Sequence, residues 1–417
     1  MIHLLRFALL LAVSTPALAN DLVAPEKVGL SSDRLDRLTS YFEAEVDSAR
    51  MPGAVIAISR KGQLAYFETV GYREPATKAP MLRDAIFSIA SMTKPMVSVA
   101  IMVLHEEGKL ALSDPVGKFL PPLANRPVGV VKTDSSGKAT VETVPAVRQP
   151  TVQDLLRHTA GFAYGSPGST ETHKLWPTPL AAVTLTADEF IDKLAKAPLI
   201  HQPGTMYEYS NFSVDVLGLI VEAVSGKPLA AFLEERLWKP LGMVDTAFSV
   251  APAKSSRYAL AFPEDPLTKQ PQSVLHAAGK PLKFDCGGAC AVSTTADYMR
   301  FARMLLSGGT LEGKRVLSRK TLELMTSDQL GPEVRARITS GLLPGYSFGL
   351  GFAVRTGIAS MAGTVGDYGW SGGYGTYFWV DPKEDMAVVY MAATPTWNSL
   401  GTYITRMRNL ALQAIAD

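Results

Sequence analysis

Phe87-Ser88-Ile89-Ala90-Ser91-Met92-Thr93-Lys94-Pro95 sets a Ser-x-x-Lys unit at the head of a long apolar run. On a helix, residues three apart share a face, so the Ser91 hydroxyl and the Lys94 amine can meet while Met92 and Thr93 point elsewhere. That spacing puts a base beside a hydroxyl. The run over 96–104, broken only by Ser98, is apolar on nearly all sides, as in a helix buried between two layers, and Gly108 ends it. An apolar helix behind the pair depresses the ammonium pKa toward that of a useful base, and the helix N-terminus favours charge developing on Oγ. The motif alone does not separate a nucleophile from a buried cap. A second copy, Ser135-Ser136-Gly137-Lys138, lies in a polar excursion and reads as a turn.

Working outward, Ser31-Ser32-Asp33 precedes Leu35, Leu38, Tyr41, Phe42 and Val46, an amphipathic helix with capping residues in front. Apolar runs at 54–58 and 64–67, separated by Lys61-Gly62, predict an antiparallel hairpin. After the Ser91 unit the pattern turns helical, with segments at 151–158, 188–195, 213–224 and 229–238, and a surface insertion near 121–150. Helices over 297–306 and 318–325 follow, then strands over 348–354, 375–380 and 386–392, and a closing helix over 397–415. The expected fold is α/β (α+β): an antiparallel sheet flanked by helices, built from both ends of the chain, with an inserted all-helical lobe and a cleft between. The expected boundaries are 20–105 with 281–417 for the sheet domain and 106–280 for the helical one.

A chain of 417 residues with 47% hydrophobic content buries a sizeable core. Its 41 basic and 39 acidic residues give a formal net charge of +2, without the basic tract that nucleic acid or an anionic membrane calls for. Residues 1–19 read as an export signal: Arg6, an apolar core over 7–13, and Ala17-Leu18-Ala19 before Asn20. That core is shorter than the ~20 residues of a membrane span, and no Cys follows the cleavage site. A periplasmic or secreted protein, with no membrane span after signal removal, is expected. The two cysteines, Cys286 and Cys290, bracket Gly287-Gly288-Ala289 and would meet an oxidising compartment, so a small-loop disulfide is expected there. Two free thiols in a Gly-rich loop are the plainer reading, and a metal site lacks nearby ligands to complete a set of four. No cofactor is expected.

Two further stretches carry chemistry. In Tyr209-Ser210-Asn211, a phenol near a lysine can relay protons and Asn offers both donor and acceptor, although a core tyrosine with a capping Asn fits equally. In Asp367-Tyr368-Gly369-Trp370-Ser371-Gly372-Gly373-Tyr374-Gly375-Thr376, just before a strand, glycines allow close approach to a substrate and offer a backbone N–H to an oxyanion; a tight bend is the alternative.

In this order the three motifs resemble the serine β-lactamase and penicillin-binding protein superfamily, most closely the class C β-lactamase-like branch with the family VIII carboxylesterases. Ser91-Met92-Thr93-Lys94 matches Ser-x-x-Lys, Tyr209-Ser210-Asn211 matches Tyr-x-Asn, and Trp370-Ser371-Gly372 stands in the place of Lys-Thr-Gly. The likeness extends through 151–162 and 375–382 and covers essentially the whole mature chain. It implies Ser91 as nucleophile, Lys94 and Tyr209 sharing base and acid duty, Asn211 orienting, the Ser91 and Gly373 N–H groups as oxyanion hole, and an acyl-enzyme. Trp370 departs from the pattern, since the family's lysine there holds a substrate carboxylate. Without that cation anionic β-lactams lose a charge-assisted partner, and uncharged short to medium acyl esters become the expected substrates, with Trp370 and Gly372 lining the site. Weak β-lactam hydrolysis is then a side activity; a class C-type β-lactamase, a D-amino-acid peptidase and a non-catalytic binder on the same fold are the alternatives.

Gly369-Trp370-Ser371-Gly372-Gly373 also fits Gly-x-Ser-x-Gly, the nucleophile elbow of another hydrolase fold. That fold needs a His after its Ser, and all six histidines, His3, His105, His158, His173, His201 and His276, precede Ser371. His158 is read as structural.

Overall fold

The computed structural model describes residues 22–164, 170–277, 279–338, 342–395 and 397–417. The expected export signal lies outside them. Helix α1 (Ser32–Asp47) leads into β1 (Gly53–Arg60), β2 (Gln63–Glu74) and β3 (Ala79–Pro80). Strand β4 (Ile86–Ser88) then runs through a tight turn at Ala90–Met92 into α2 (Thr93–Glu106). The middle of the chain holds a hairpin of β5 (Val128–Thr133) and β6 (Ala139–Val144), then α3 (Val152–Leu156), α4 (Ala187–Lys196) and α5 (Asn211–Ser225). After β7 (Val292–Thr294) and α6 (Thr295–Leu306) come β8 (Tyr346–Phe348), β9 (Ala353–Arg355), β10 (Tyr368–Gly372), β11 (Thr376–Asp381), β12 (Met386–Ala392) and α7 (Trp397–Gln413).

Among the described residues the main sheet has eight strands in the order β8-β9-β10-β11-β12-β1-β2-β3, all paired antiparallel. Strand β1, from the beginning of the chain, pairs with β12 near its end in the register Ala54↔Ala392 to Arg60↔Met386. Every residue of β1 is buried, because both faces of the sheet are covered. Val55 and Ala57 enter the core shared with α2, α5 and α6, whereas Ala54, Ile56 and Ile58 enter a second core with α1 and α7. The two-residue period of a strand makes that division. Helix α1 is capped by Ser31, whose hydroxyl accepts from the Arg34 N–H, and lays Leu35, Leu38 and Phe42 on the sheet. Helix α2 is buried from Thr93 to Leu104, so its apolar residues serve the sheet on one side and the helical block on the other.

Three expectations are corrected. The apolar stretch 348–354 is two strands rather than one, turning back at Gly351 with φ +97. Gly349 is held so closely there that a β-carbon would stand 2.1 Å from the Met325 carbonyl oxygen. The insertion near 121–150 contains the β5–β6 hairpin, so the middle block is not purely helical. Ser135 to Lys138 form its turn, with Asp134 Oδ1 accepting from the Ser136 and Lys138 N–H groups at 2.8 and 3.0 Å. Finally, the motif at 367–376 does not merely precede a strand: 368–372 is β10, and 373–375 turn it into β11. Among the described residues no single helix is long and apolar enough to cross a membrane.

Candidate active site

The turn from β4 to α2 is tied down on several sides. Ala90 holds φ +44, a left-handed conformation that a residue with a β-carbon rarely adopts, immediately before Ser91. The Ile89 N–H donates to the Ala291 carbonyl at 3.0 Å, the Thr93 hydroxyl to the Ala90 carbonyl at 2.7 Å, and the Tyr298 hydroxyl to the Met92 carbonyl at 2.8 Å. The end of β10 presses on the same turn, since a β-carbon on Gly372 would stand 2.1 Å from the Ile89 carbonyl oxygen. Gly373 follows at the start of the next turn.

Ser91 is buried, with 6% exposure, and Lys94 is buried to 1%. The Lys94 amine reaches three oxygens: Ser91 Oγ at 3.0 Å, Asn211 Oδ1 at 2.5 Å and the Gly288 carbonyl at 2.5 Å. Two of these partners only accept. A neutral amine therefore spends both its N–H bonds on Asn211 and Gly288, and its lone pair is left facing the Ser91 hydroxyl. Burial pulls the Lys94 pKa down to about 7, against the carboxylate of Asp215, which pulls it up. Burial likewise pushes Asp215 up to about 7, opposed by the Gly288 N–H at 2.7 Å and by Lys94. Gly288 stands between the two buried groups, so the protonation of one bears on the other.

Asn211 opens α5, whose cap, Ser210 Oγ, accepts from the Ser213 N–H at 3.2 Å and donates to the Ala163 carbonyl at 2.7 Å. Tyr209 precedes that cap. Its ring lies 4.7 Å from Lys94 Nζ, and its hydroxyl accepts from Trp370 Nε1 at 3.2 Å. Burial raises the Tyr209 phenol well above its ordinary value, so Tyr209 rests as a neutral phenol and Lys94 is the group whose free amine exists near neutral pH. His158 sits at φ +57 just after α3, accepts from the Ser210 N–H at Nδ1, and packs its ring 4.8 Å from that of Tyr209. Burial, then the Lys94 charge, hold its pKa well down, so it supports the Tyr209 segment as a neutral ring.

The structure thus brings together Ser91, Lys94, Tyr209, Asn211 and Trp370, from three separate parts of the chain. It also joins Cys286 and Cys290 in a disulfide. Two participants escaped the sequence reading, the Gly288 carbonyl and Asp215. Asp215 lies one helical turn after Asn211, and a lone carboxylate inside Phe212-Ser213-Val214-Asp215-Val216-Leu217 was the available signal.

Beside Tyr209 and Trp370 opens an apolar cavity of about 350 Å³, lined in part by Leu342, Leu343, Ala353, Met361 and Ile404. Among the described residues no Lys or Arg lines it. It adjoins the stretch of β10 beyond Gly369 that β9 leaves unpaired.

A sheet closed by both chain ends, with a Ser–Lys–Tyr cluster at the edge of an inserted helical block, defines a serine hydrolase of β-lactamase/transpeptidase fold. Residues 38–413 match the β-lactamase family, and the chain belongs to it. An uncharacterised protein of Mycobacterium tuberculosis is 36% identical over 367 residues, 86% of this chain and 89% of that one. Esterase EstB of Burkholderia gladioli is 30% identical over 380 residues, 86% of this chain and 90% of its own. Among solved structures, EstCE1, a hydrolase with promiscuous acyltransferase activity, superposes with a TM-score of 0.72 at 25% identity, covering 91% of this chain and 98% of its own.

Proposed function

We propose that the protein is a carboxylesterase that works through an acyl-enzyme on Ser91. The observation that carries this reading is the set of partners around Lys94, which leaves the lone pair of the neutral amine aimed at Ser91 Oγ. As Oγ attacks the ester carbonyl, its proton passes to Lys94 Nζ. The tetrahedral oxyanion is taken by the Ser91 and Gly373 N–H groups. Collapse breaks the C–O bond to the alcohol, whose oxygen receives a proton from Tyr209, and Tyr209 is reprotonated from Lys94. Water then attacks the acyl-enzyme with the same groups as base and acid, releasing the carboxylic acid and restoring Ser91.

Substrate preference rests on Trp370 and the cavity beside it. A cavity with no Lys or Arg among its described lining residues gains nothing from a carboxylate, whereas its apolar volume of about 350 Å³ favours an acyl chain. At about 30 Å³ for a group the size of water, it accommodates a chain of up to about ten carbons. The esterase name of one similar protein and the hydrolase name of another support the same class. Export belongs to the proposal too, supported by the buried disulfide.

The test is a kinetic panel of p-nitrophenyl esters from acetate to palmitate, beside a chromogenic cephalosporin and a D-Ala-terminated peptide. Short to medium esters are expected to lead, and faster release of D-Ala or of opened cephalosporin would overturn the assignment. Ile404 then probes the cavity. Ile404→Phe is expected to move the preferred chain length down and Ile404→Ala to move it up, each by roughly 10-fold in the ratio of kcat/KM values for butyrate and octanoate. Identical chain-length profiles in both variants would remove the cavity from the argument.

A further inference from the structure

The Cys286–Cys290 loop touches the reacting group through one residue, Gly288. The Gly288 carbonyl accepts from Lys94 Nζ at 2.5 Å while the N–H of the same residue donates to Asp215 Oδ1 at 2.7 Å. Both glycines of the loop lie directly on α5. A β-carbon on Gly287 would stand 2.5 Å from the Val214 carbonyl oxygen, and one on Gly288 would stand 2.7 Å from that of Asn211. Gly288 therefore rests on the helical turn that presents Asn211, the other acceptor for Lys94. The disulfide bridges the residues two before and two after Gly288, with a Cα–Cα distance of 5.4 Å, and both sulfur-bearing residues are buried. A cross-link over so few residues constrains little of the unfolded chain, because that effect grows with loop length. Its consequence is local.

We infer that the disulfide-closed loop 286–290 is a positioning element for Lys94: Gly288 spans from the Lys94 amine to the Asp215 carboxylate, and the Cys286–Cys290 bond holds that span against α5. The loop fixes the second acceptor that turns the Lys94 lone pair toward Ser91. Asp215 anchors the far end of the span and supplies the buried charge that tunes the base. The other polar groups facing this pocket, Asn211 from α5, neutral His158 after α3, and the phenols Tyr209 and Tyr164, carry no charge near neutrality. Asp215 is then the ionisable partner whose charge raises the Lys94 pKa against the larger effect of burial. This inference rests on the serine-nucleophile reading above.

The experiment compares wild type, Cys286→Ser/Cys290→Ser and Asp215→Asn by kcat and KM on p-nitrophenyl butyrate and by the pH dependence of fluorophosphonate labelling at Ser91. In wild type the labelling rate is expected to rise with pH through about 7 as Lys94 loses its proton. The double-cysteine variant is expected to keep its KM and melting temperature while kcat and the labelling rate fall by roughly 10-fold or more, since small misplacements of a catalytic group are costly. Asp215→Asn keeps an acceptor for the Gly288 N–H but removes the charge that raises the Lys94 pKa, so its labelling profile is expected to move to lower pH by about one unit. Because the cysteine variant tests position and Asp215→Asn tests charge, loss of fold in one leaves the other decisive. If wild type labels, and the folded variants label at its rate and on its pH profile, the inference is overturned alone. A wild type that takes no label overturns the nucleophile reading and this inference together.

Discussion

Ser91→Ala is expected to lower kcat on p-nitrophenyl butyrate by roughly 10⁴-fold or more, and Lys94→Met to lower it comparably, with the double variant little worse than either single one. The non-additivity is the informative part. In the proposed mechanism every step that Lys94 serves begins at the Ser91 hydroxyl or at its acyl-enzyme, so once the hydroxyl is gone the amine has nothing to activate, and without the amine the hydroxyl is not activated. Initial rates under saturating ester, on variants whose melting temperature stays near that of wild type, check the expectation. Full activity in Ser91→Ala would remove Ser91 from the chemistry, and strictly additive losses would mean that the two residues act in different steps.

The second large effect falls on stability. Asp367 is buried at the wall of the cavity beside Trp370, accepting from Arg408 Nη2 at 2.5 Å, from the Tyr346 hydroxyl at 3.3 Å and from the Thr364 N–H at 3.2 Å, with Arg355 Nη1 at 3.8 Å. Arg408, fully buried, also donates to the Tyr377 hydroxyl at 2.9 Å and lies 4.7 Å over the Trp379 ring. Asp367→Ala leaves two buried guanidinium groups without their carboxylate, which is expected to cost about 3–5 kcal/mol. Urea unfolding should show the midpoint falling while its slope is unchanged. Adding Arg408→Met to Asp367→Ala should recover part of the loss, because an apolar replacement removes one stranded charge. No recovery would mean that the cost lies in the hydrogen bonds of Tyr346 and Thr364 instead.

Much of the site could be read from the chain because its side chains announce themselves. Ser91 and Lys94 are three apart at the head of a helix, and Tyr209 and Asn211 flank a capping serine. What stayed hidden is backbone and assembly. The Gly288 carbonyl has no residue type to betray it, and its part depends on a loop from beyond residue 280 lying on a helix that begins at 211. The cavity beside Trp370 is likewise gathered from residues between 342 and 404, with Tyr209 at one wall. In the fold, the alternating apolar pattern of 348–354 looked like one strand because Phe348, Leu350 and Phe352 are all buried, and the reversal at Gly351 buries them just as well. Periodicity reports which residues are buried, whereas the direction of the chain between them is set by the glycine.

The pairing of β1 with β12 has a consequence for how the molecule comes into being. Ala54 meets Ala392, so the middle of the sheet closes only when the last strand has left the ribosome. Until then the β1 edge, carrying Val55, Ile56 and Ile58, has no partner on that side, and contacts of such long sequence separation form slowly. The nascent chain must hold apolar surface open for nearly its whole synthesis, at risk of joining another chain at that edge. The same delay keeps it extensible while it is being made, as the proposed export across a membrane would require.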